Sequence, residues 1–153
     1  MNINDKISDF SFQGTNGLQA RLSDYQGKWV ILYFYPKDAT PGCTTEGQDF
    51  GNNYAEFQKL NAVIFGISRD SLKSHENFKC KQAFPFELIS DNDEQLCQLF
   101  DVIRMKSMYG KQVRGIERST FLIDPAGILR HEWRKVKVAG HVTEVFNTLK
   151  NLQ

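Results

Sequence analysis

The sequence is poor in the residues and patterns that mark several classes of protein. It contains only three cysteines, Cys43, Cys80 and Cys97, in 153 residues. An odd and sparse set argues against a secreted disulfide framework and favours a reducing compartment. The opening segment MNINDKISDF lacks the apolar core of a secretory signal, and no apolar run approaches the roughly 18 residues of a membrane span. We therefore expect a cytoplasmic protein without a membrane segment.

Charge patterning and short motifs exclude further classes. The chain carries 19 Lys and Arg against 18 Asp and Glu, and this balance offers no electrostatic argument for binding nucleic acid. The basic segment 130–137 has one aromatic residue, and we interpret it as a solvated strand face. The histidines His75, His131 and His141 are not paired with cysteines at ligand spacing. Since phosphate-binding and dinucleotide-binding glycine motifs are also absent, the sequence predicts neither a metal nor a cofactor.

Apolar runs and turn signals predict the strands. Short, continuous apolar runs are typical of strands that are buried on both faces. The turn Asp124-Pro125-Ala126-Gly127 predicts a hairpin late in the chain, and weak alternation around Gly14 predicts another near the N-terminus. The predicted strands lie at 29–35, 62–67, 120–123 and 128–133, and the N-terminal hairpin lies within 9–22.

Helical periodicity fills the segments between these strands. Apolar or small residues recur on one helix face from residue 43 to 60, at Cys43, Gly47, Phe50, Tyr54 and Phe57. Further helices are predicted at 71–82, starting near Ser71, at 94–100, capped by Asp91 or Asp93, and at 141–151. We expect one α/β domain over residues 1–153, with a mixed central sheet flanked by helices. This pattern suits a thioredoxin-like fold but does not by itself separate it from other small α/β folds.

Cys43 lies where the first apolar strand gives way to a helix. Thr40 is a good N-cap residue, and Pro41 suits the first helical position. Cys43 then falls in the first turn, where free backbone N–H groups and the positive end of the helix dipole favour an anion. The thiolate is the nucleophilic form of cysteine. Because free cysteines are often buried and inert, the position alone leaves a reactive and an inert Cys43 equally open.

Several motifs around Cys43 and late in the chain match one family. Pro36, Thr40 and Cys43 form P-x-x-x-T-x-x-C directly after an apolar strand, and the longer string reads TPGCTTE. Arg118 opens the string RSTFLID, which Gly127 follows. These features resemble the peroxiredoxins, in particular the bacterioferritin-comigratory-protein or Q-type subgroup, over nearly the whole chain. The resemblance implies a thioredoxin-like fold and a thiol-dependent peroxidase for hydrogen peroxide and small organic hydroperoxides, without metal, haem or flavin.

The resemblance also implies roles for individual residues. Cys43 would be the peroxidatic nucleophile, which becomes a sulfenic acid, and its backbone N–H would donate to the peroxide. Thr40 would accept from the thiol or hydrogen-bond the incoming peroxide oxygen, and Pro36 would shield the thiolate from water. Arg118 would stabilise the thiolate and orient the peroxide with its fixed donors. Glu46, early in the same helix, is a candidate partner of Arg118.

The sequence departs from the subgroup at the step that removes the sulfenic acid. Many Q-type members carry a resolving cysteine five residues after the peroxidatic one, where this chain has Gln48. The position of Cys80 resembles that in subgroup members whose second helix carries the resolving cysteine, but Cys80 is displaced by one position. One position corresponds to a rotation of about 100° around a helix axis. We therefore expect that a Cys43–Cys80 disulfide requires local unfolding, helped by Gly47 and Gly51 in the first helix.

Alternatives to this cycle remain open on the sequence. Cys97 lies between Leu96 and Leu99, and we interpret it as a buried hydrophobic residue. A one-cysteine cycle with an external thiol is the rival of the internal disulfide. A thiol–disulfide oxidoreductase of the same fold is weakened because Thr40 stands where a C-x-x-C motif has its first cysteine. An interaction module with an inert Cys43 is a further alternative. The resemblance implies thioredoxin or another dithiol as reductant, and a monomer.

Overall fold

A five-stranded mixed sheet forms the centre of the computed structural model, which describes residues 1–153. The strands are β1 (Ser11–Gln13), β2 (Gln19–Arg21), β3 (Trp29–Phe34), β4 (Ala62–Ser68), β5 (Glu87–Ser90), β6 (Ile103–Met108), β7 (Lys111–Ile116), β8 (Ser119–Ile123) and β9 (Leu129–Trp133). The sheet has the order β5-β4-β3-β8-β9; β3 is parallel to β4 and antiparallel to β8. The predicted mixed sheet, its late β8–β9 hairpin and the N-terminal β1–β2 hairpin are confirmed.

Five α-helices and one 3₁₀ helix complete the fold. They are α1 (Pro41–Asn52), α2 (Tyr54–Lys59), α3 (Leu72–Gln82), α4 (Gln95–Leu99), α5 (His141–Asn151) and the 3₁₀ helix Leu22–Tyr25. The predicted helices at 71–82 and 141–151 are confirmed, and Ser71 caps α3 by accepting from the N–H of Ser74. Asp91 and Asp93 both accept from backbone N–H groups of α4, as expected for that helix. None of the helices has the length and apolar character needed to cross a membrane.

The prediction of one helix over residues 43–60 is wrong, because the helix is interrupted at Asn53. The side-chain Nδ2 of Asn53 donates to the carbonyl of Asp49 at 2.8 Å, and that carbonyl is the acceptor a continuing helix would use. The backbone N–H of Asn53 donates instead to Phe50 at 3.2 Å. The chain therefore restarts as α2, while Phe50 and Phe57 still share the buried side.

Three strands were not predicted. β5 has only four residues, too few for a clear period. β6 and β7 form a separate hairpin whose residues are mostly exposed or half-buried, so no apolar alternation marks them. Their turn places Tyr109 and Gly110 at φ 52° and 76°, the left-handed pair that tight hairpins need, without the usual Asn-Gly signal.

The central sheet separates two apolar cores. Successive β3 side chains point to opposite faces, so Ile31 and Tyr33 join one core while Leu32 and Phe34 join the other. The first core contains Cys43 and the buried apolar side chains of α1, α3 and α5. Cys97 belongs to the second core, with α4 and the N-terminal hairpin. The sheet thus lies between Cys43 and Cys97.

α1 packs closely against the segment that directly follows α3. A Cβ atom on Gly47 would lie 2.4 Å from Cζ of Phe84, so only glycine fits there. The ring of Phe84 stacks on Phe86 at 5.3 Å and contacts Phe78 edge-on at 5.0 Å. Gln48 Nε2 donates to Gln82 Oε1 at 2.9 Å across the same boundary. This packing holds the helix of Cys43 beside the helix of Cys80.

The contact of Gly47 with Phe84 predicts that Gly47→Ala destabilises the fold by about 1–3 kcal/mol, since the added methyl overpacks the core. Replacing a helical glycine that has free space around it with alanine would instead stabilise the fold by about 1 kcal/mol. Urea unfolding of the reduced protein measures the difference. Gly115→Ala is the control, because nothing lies within 4 Å of a Cβ atom there. A more stable Gly47→Ala variant would contradict the packing argument.

Candidate active site

Cys43 is held at the start of α1, directly after the loop that leaves β3. It is the third residue of the helix and is only 2% exposed. Nη2 of Arg118 donates to Cys43 Sγ at 3.4 Å, although the two residues are 75 positions apart in the chain. The thiol is therefore shielded from bulk water and faces a fixed positive charge at the positive end of a helix.

The sheet register brings Arg118 to this place. Phe34 at the end of β3 pairs with Ser119 at the start of β8, so Arg118 lies beside the segment that leads to Cys43. The N–H of Val136 donates to the Arg118 carbonyl at 3.0 Å and anchors the backbone. A Cβ atom on Gly42 would lie 3.2 Å from Nη2, so the helix start leaves room for the guanidinium.

Glu46 is paired with the same guanidinium, as the sequence suggested. Arg118 Nη1 donates to Glu46 Oε1 at 2.6 Å, and the glutamate side chain is fully buried. Burial raises the pKa of Glu46 to about 7, and the charge of Arg118 offsets only part of this shift. Burial alone would lower the pKa of Arg118, but the charges of Glu46 and Cys43 raise it above its ordinary value. Arg118 therefore stays cationic while Glu46 changes its charge near neutral pH.

Thr40 occupies the predicted N-cap position, but its side chain does not cap the helix. The hydroxyl donates instead to the carbonyl of Lys37 at 2.7 Å, which closes the loop before the helix. Thr40 and Pro41 thus start the helix as predicted, but without a side-chain cap. Since its hydrogen is engaged, the Thr40 oxygen is left to accept a hydrogen bond. Pro36, just past the end of β3, is half-buried.

The other two cysteines have opposite surroundings. All three thiols are free, and Cys80 is exposed on α3. Cys97 is fully buried, as expected from its apolar neighbours, and burial raises the pKa of its thiol well above the ordinary range. Lys79, the residue directly before Cys80, donates to the Phe84 carbonyl at 3.0 Å. Of these two thiols, only that of Cys80 is open to solvent.

Two buried polar residues at the loop before Cys43 were not predicted from the sequence. Asp38 lies in the loop between β3 and α1, and His75 lies on α3. His75 Nδ1 is 2.8 Å from Asp38 Oδ2, and the two residues are separated by 37 positions. The only signal was a histidine on the apolar side of a predicted helix, which does not identify its partner.

Comparison with known proteins places this geometry in a family. The AhpC/TSA family model matches residues 3–132. Peroxiredoxin Bcp of Xanthomonas campestris is 57% identical over 93% of this chain and 89% of its own length. Peroxiredoxin Bcp of Bacillus subtilis is 51% identical over 98% of this chain and 96% of its own length. A solved structure of the Xanthomonas campestris bacterioferritin comigratory protein, described for its alkyl peroxide reduction activity, has a TM-score of 0.89 at 56% identity and covers 93% of this chain and 90% of its own.

Fold and site together define a thiol peroxidase with a thioredoxin-like fold. The chain belongs to the AhpC/TSA family and, within it, to the Bcp or Q-type peroxiredoxins. It is an enzyme that reduces peroxides, and the sequence-based recognition of the family is confirmed.

The raised pKa of Glu46 predicts a pH-dependent stability that Glu46→Gln removes. The folded protein binds the Glu46 proton more tightly than the unfolded chain, so this group stabilises the fold at low pH. That contribution is lost as pH rises from about 4.5 to about 7, by up to about 1.4 kcal/mol per pH unit. Chemical unfolding at several pH values should give a wild-type slope that is more negative than the variant slope.

Glu56→Gln is the matched control for this experiment, because Glu56 is 55% exposed and water solvates it in both states. Equal slopes for wild type and Glu46→Gln between pH 4.5 and 7 would show that burial does not control the Glu46 carboxyl.

Proposed function

We propose that Cys43 is the peroxidatic residue and that it reduces hydrogen peroxide and small organic hydroperoxides. The Cys43 thiolate attacks the terminal peroxide oxygen, the O–O bond breaks, and the departing oxygen takes a proton to leave as water or an alcohol. Cys43 is oxidised to a sulfenic acid. The observation that carries this proposal is the contact of Arg118 with both Cys43 Sγ and Glu46 at the start of α1.

Arg118 stabilises charge on both sides of the reaction in this proposal. Its fixed guanidinium favours the thiolate before the attack and faces the oxygen on which charge grows as the O–O bond breaks. The Cys43 backbone N–H, in the first turn of α1, donates to the peroxide. Thr40 accepts from the thiol or from the peroxide O–H, because its own hydrogen is given to Lys37. Pro36 covers the thiolate against water.

Cys80 is the proposed resolving cysteine. Its thiol attacks the sulfenic sulfur of Cys43, a disulfide forms, and the hydroxyl leaves as water. Two observations favour Cys80 over Cys97. Cys80 lies on α3, which packs on the same sheet face as α1, whereas Cys97 lies fully buried in the opposite core. Gln48, at the position of a local resolving cysteine, already contacts Gln82 near the end of that helix.

Resolution by Cys80 requires part of the structure to open. Cys43 is buried under the packed face of α1, while Cys80 points to solvent. Gly47 has two opposing effects: its helix propensity is low, but its contact with Phe84 holds α1 against the end of α3. We propose that the first turns of α1 unwind after oxidation. The rival cycle, with an external thiol, needs no such opening.

The remaining partners follow from family membership and from the proposed disulfide. A Cys43–Cys80 disulfide with one sulfur on an exposed helix is suited to reduction by thioredoxin or another dithiol protein. The protein acts as a monomer in the cytoplasm in this proposal, where three free thiols stay reduced. The alkyl peroxide activity described for the Xanthomonas campestris relative supports organic hydroperoxides as substrates here.

Loss of the Arg118 charge should slow the oxidation of Cys43. Arg118→Met is expected to lower the second-order rate with hydrogen peroxide by about 10²- to 10³-fold, since a preorganised donor is removed. The rate of Arg118→Lys should lie between the rates of wild type and Arg118→Met, because lysine keeps the charge but lacks the two-pronged geometry of the guanidinium. Stopped-flow peroxide consumption measures these rates. Arg104→Met, on the β6–β7 hairpin, is the control, and an equal loss there would refute a site-specific role.

The disulfide partner is testable by peptide mapping. After one equivalent of peroxide, non-reducing digestion should yield a Cys43–Cys80 linked peptide in wild type and in Cys97→Ser. Cys80→Ser should instead accumulate the sulfenic acid. A Cys43–Cys97 link, or a persistent sulfenic acid in wild type, would overturn the proposed resolution step.

A further inference from the structure

A buried Asp–His pair, Asp38 with His75, joins the loop before Cys43 to α3, and no step of the proposed peroxidase cycle uses it. Asp38 lies in the loop, and His75 lies on α3 with its side chain fully buried; that of Asp38 is 4% exposed. His75 Nδ1 lies 2.8 Å from Asp38 Oδ2 and 3.0 Å from Oδ1. Asp38 precedes Cys43 by five residues, and His75 precedes Cys80 by five. The pair therefore connects the two chain segments that carry the proposed disulfide.

Asp38 is held by its side chain and by its backbone. Tyr35 Oη and Ser74 Oγ each donate to its carboxylate at 2.7 Å. Its backbone N–H donates to Asp70 Oδ2 at 2.9 Å, and the same Asp70 oxygen accepts from Ser68 Oγ at 2.6 Å. The loop position is thus set by donors and acceptors on α3 and on the residues that directly follow β3 and β4.

Both ring nitrogens of His75 have polar partners. Nε2 lies 3.0 Å from the carbonyl oxygen of Ile89, and Nδ1 faces the Asp38 carboxylate. The ring is thus held at both nitrogens, between the loop residue Asp38 and strand β5. Removing one partner of a buried hydrogen bond is costly, because the other polar group is left unsatisfied.

We propose that Asp38 and His75 are positioning residues that lock the Cys43 loop onto α3. The locked state holds the loop and the start of α1 in the geometry that reacts with peroxide. The open state frees α1 and α3 to bring Cys43 and Cys80 together, so the strength of the pair sets the balance between oxidation and resolution. This inference rests on the proposed disulfide for its second half only.

The test measures the two chemical steps separately in rapid-mixing experiments. Asp38→Asn, which keeps the side-chain shape, and His75→Gln should lower the rate of Cys43 oxidation about tenfold, because the loop is less well placed. They should raise the rate of Cys43–Cys80 disulfide formation about tenfold, because the open state is more populated. His131→Gln makes the same change outside the cluster and should alter neither rate by more than about twofold.

Opposite changes in the two rates distinguish a lock from a purely structural role. Unchanged rates in both variants, or a fall in both rates together, would overturn the proposal. Hydrogen exchange of the reduced protein adds a reading that does not depend on Cys80: residues 36–47 should exchange about tenfold faster in Asp38→Asn than in wild type. If wild type forms no Cys43–Cys80 disulfide, the resolution route fails, while exchange and oxidation rates still decide the lock.

Discussion

One guanidinium group contacts both the thiol and the buried carboxylate of the candidate active site, and the proposed chemistry depends on that double contact. Arg118 lies 3.4 Å from Cys43 Sγ and 2.6 Å from Glu46 Oε1. A buried carboxylate next to a thiolate would oppose its ionisation, but the cation between them is attracted to both. Because burial raises the pKa of Glu46 to about 7, the carboxyl is partly neutral near physiological pH, whereas Arg118 stays cationic.

The two halves of the proposed catalytic cycle make opposite demands on the fold. Oxidation by peroxide would favour a buried, fixed Cys43, and the Gly47–Phe84 contact and the proposed Asp38–His75 lock fit this demand. The proposed resolution by Cys80 would favour a mobile Cys43 that reaches an exposed helix surface. Both demands fall on the packing of α1 against the end of α3, and in this proposal its stability decides how long the sulfenic acid persists.

The sequence predicted the parts of the fold that local rules determine. Buried apolar runs located the main strands, and the motif around Cys43 identified the family together with Arg118. Features set by tertiary contacts were not predictable. The break at Asn53 depends on which N–H group donates to the Asp49 carbonyl. The Thr40 hydroxyl could either cap the helix or donate to the Lys37 carbonyl, and it does the latter. The Asp38–His75 pair spans 37 positions and leaves no periodic pattern.

The most direct test of the account is a single-turnover measurement of peroxide consumption with each cysteine replaced in turn. Reduced wild type, Cys80→Ser and Cys97→Ser should each consume one equivalent of hydrogen peroxide rapidly, because Cys43 alone performs the first step. Cys43→Ser should consume none above the rate of free cysteine. Rapid consumption by Cys43→Ser, or its loss in Cys97→Ser with the fold intact, would contradict the assignment of Cys43 as the reacting thiol.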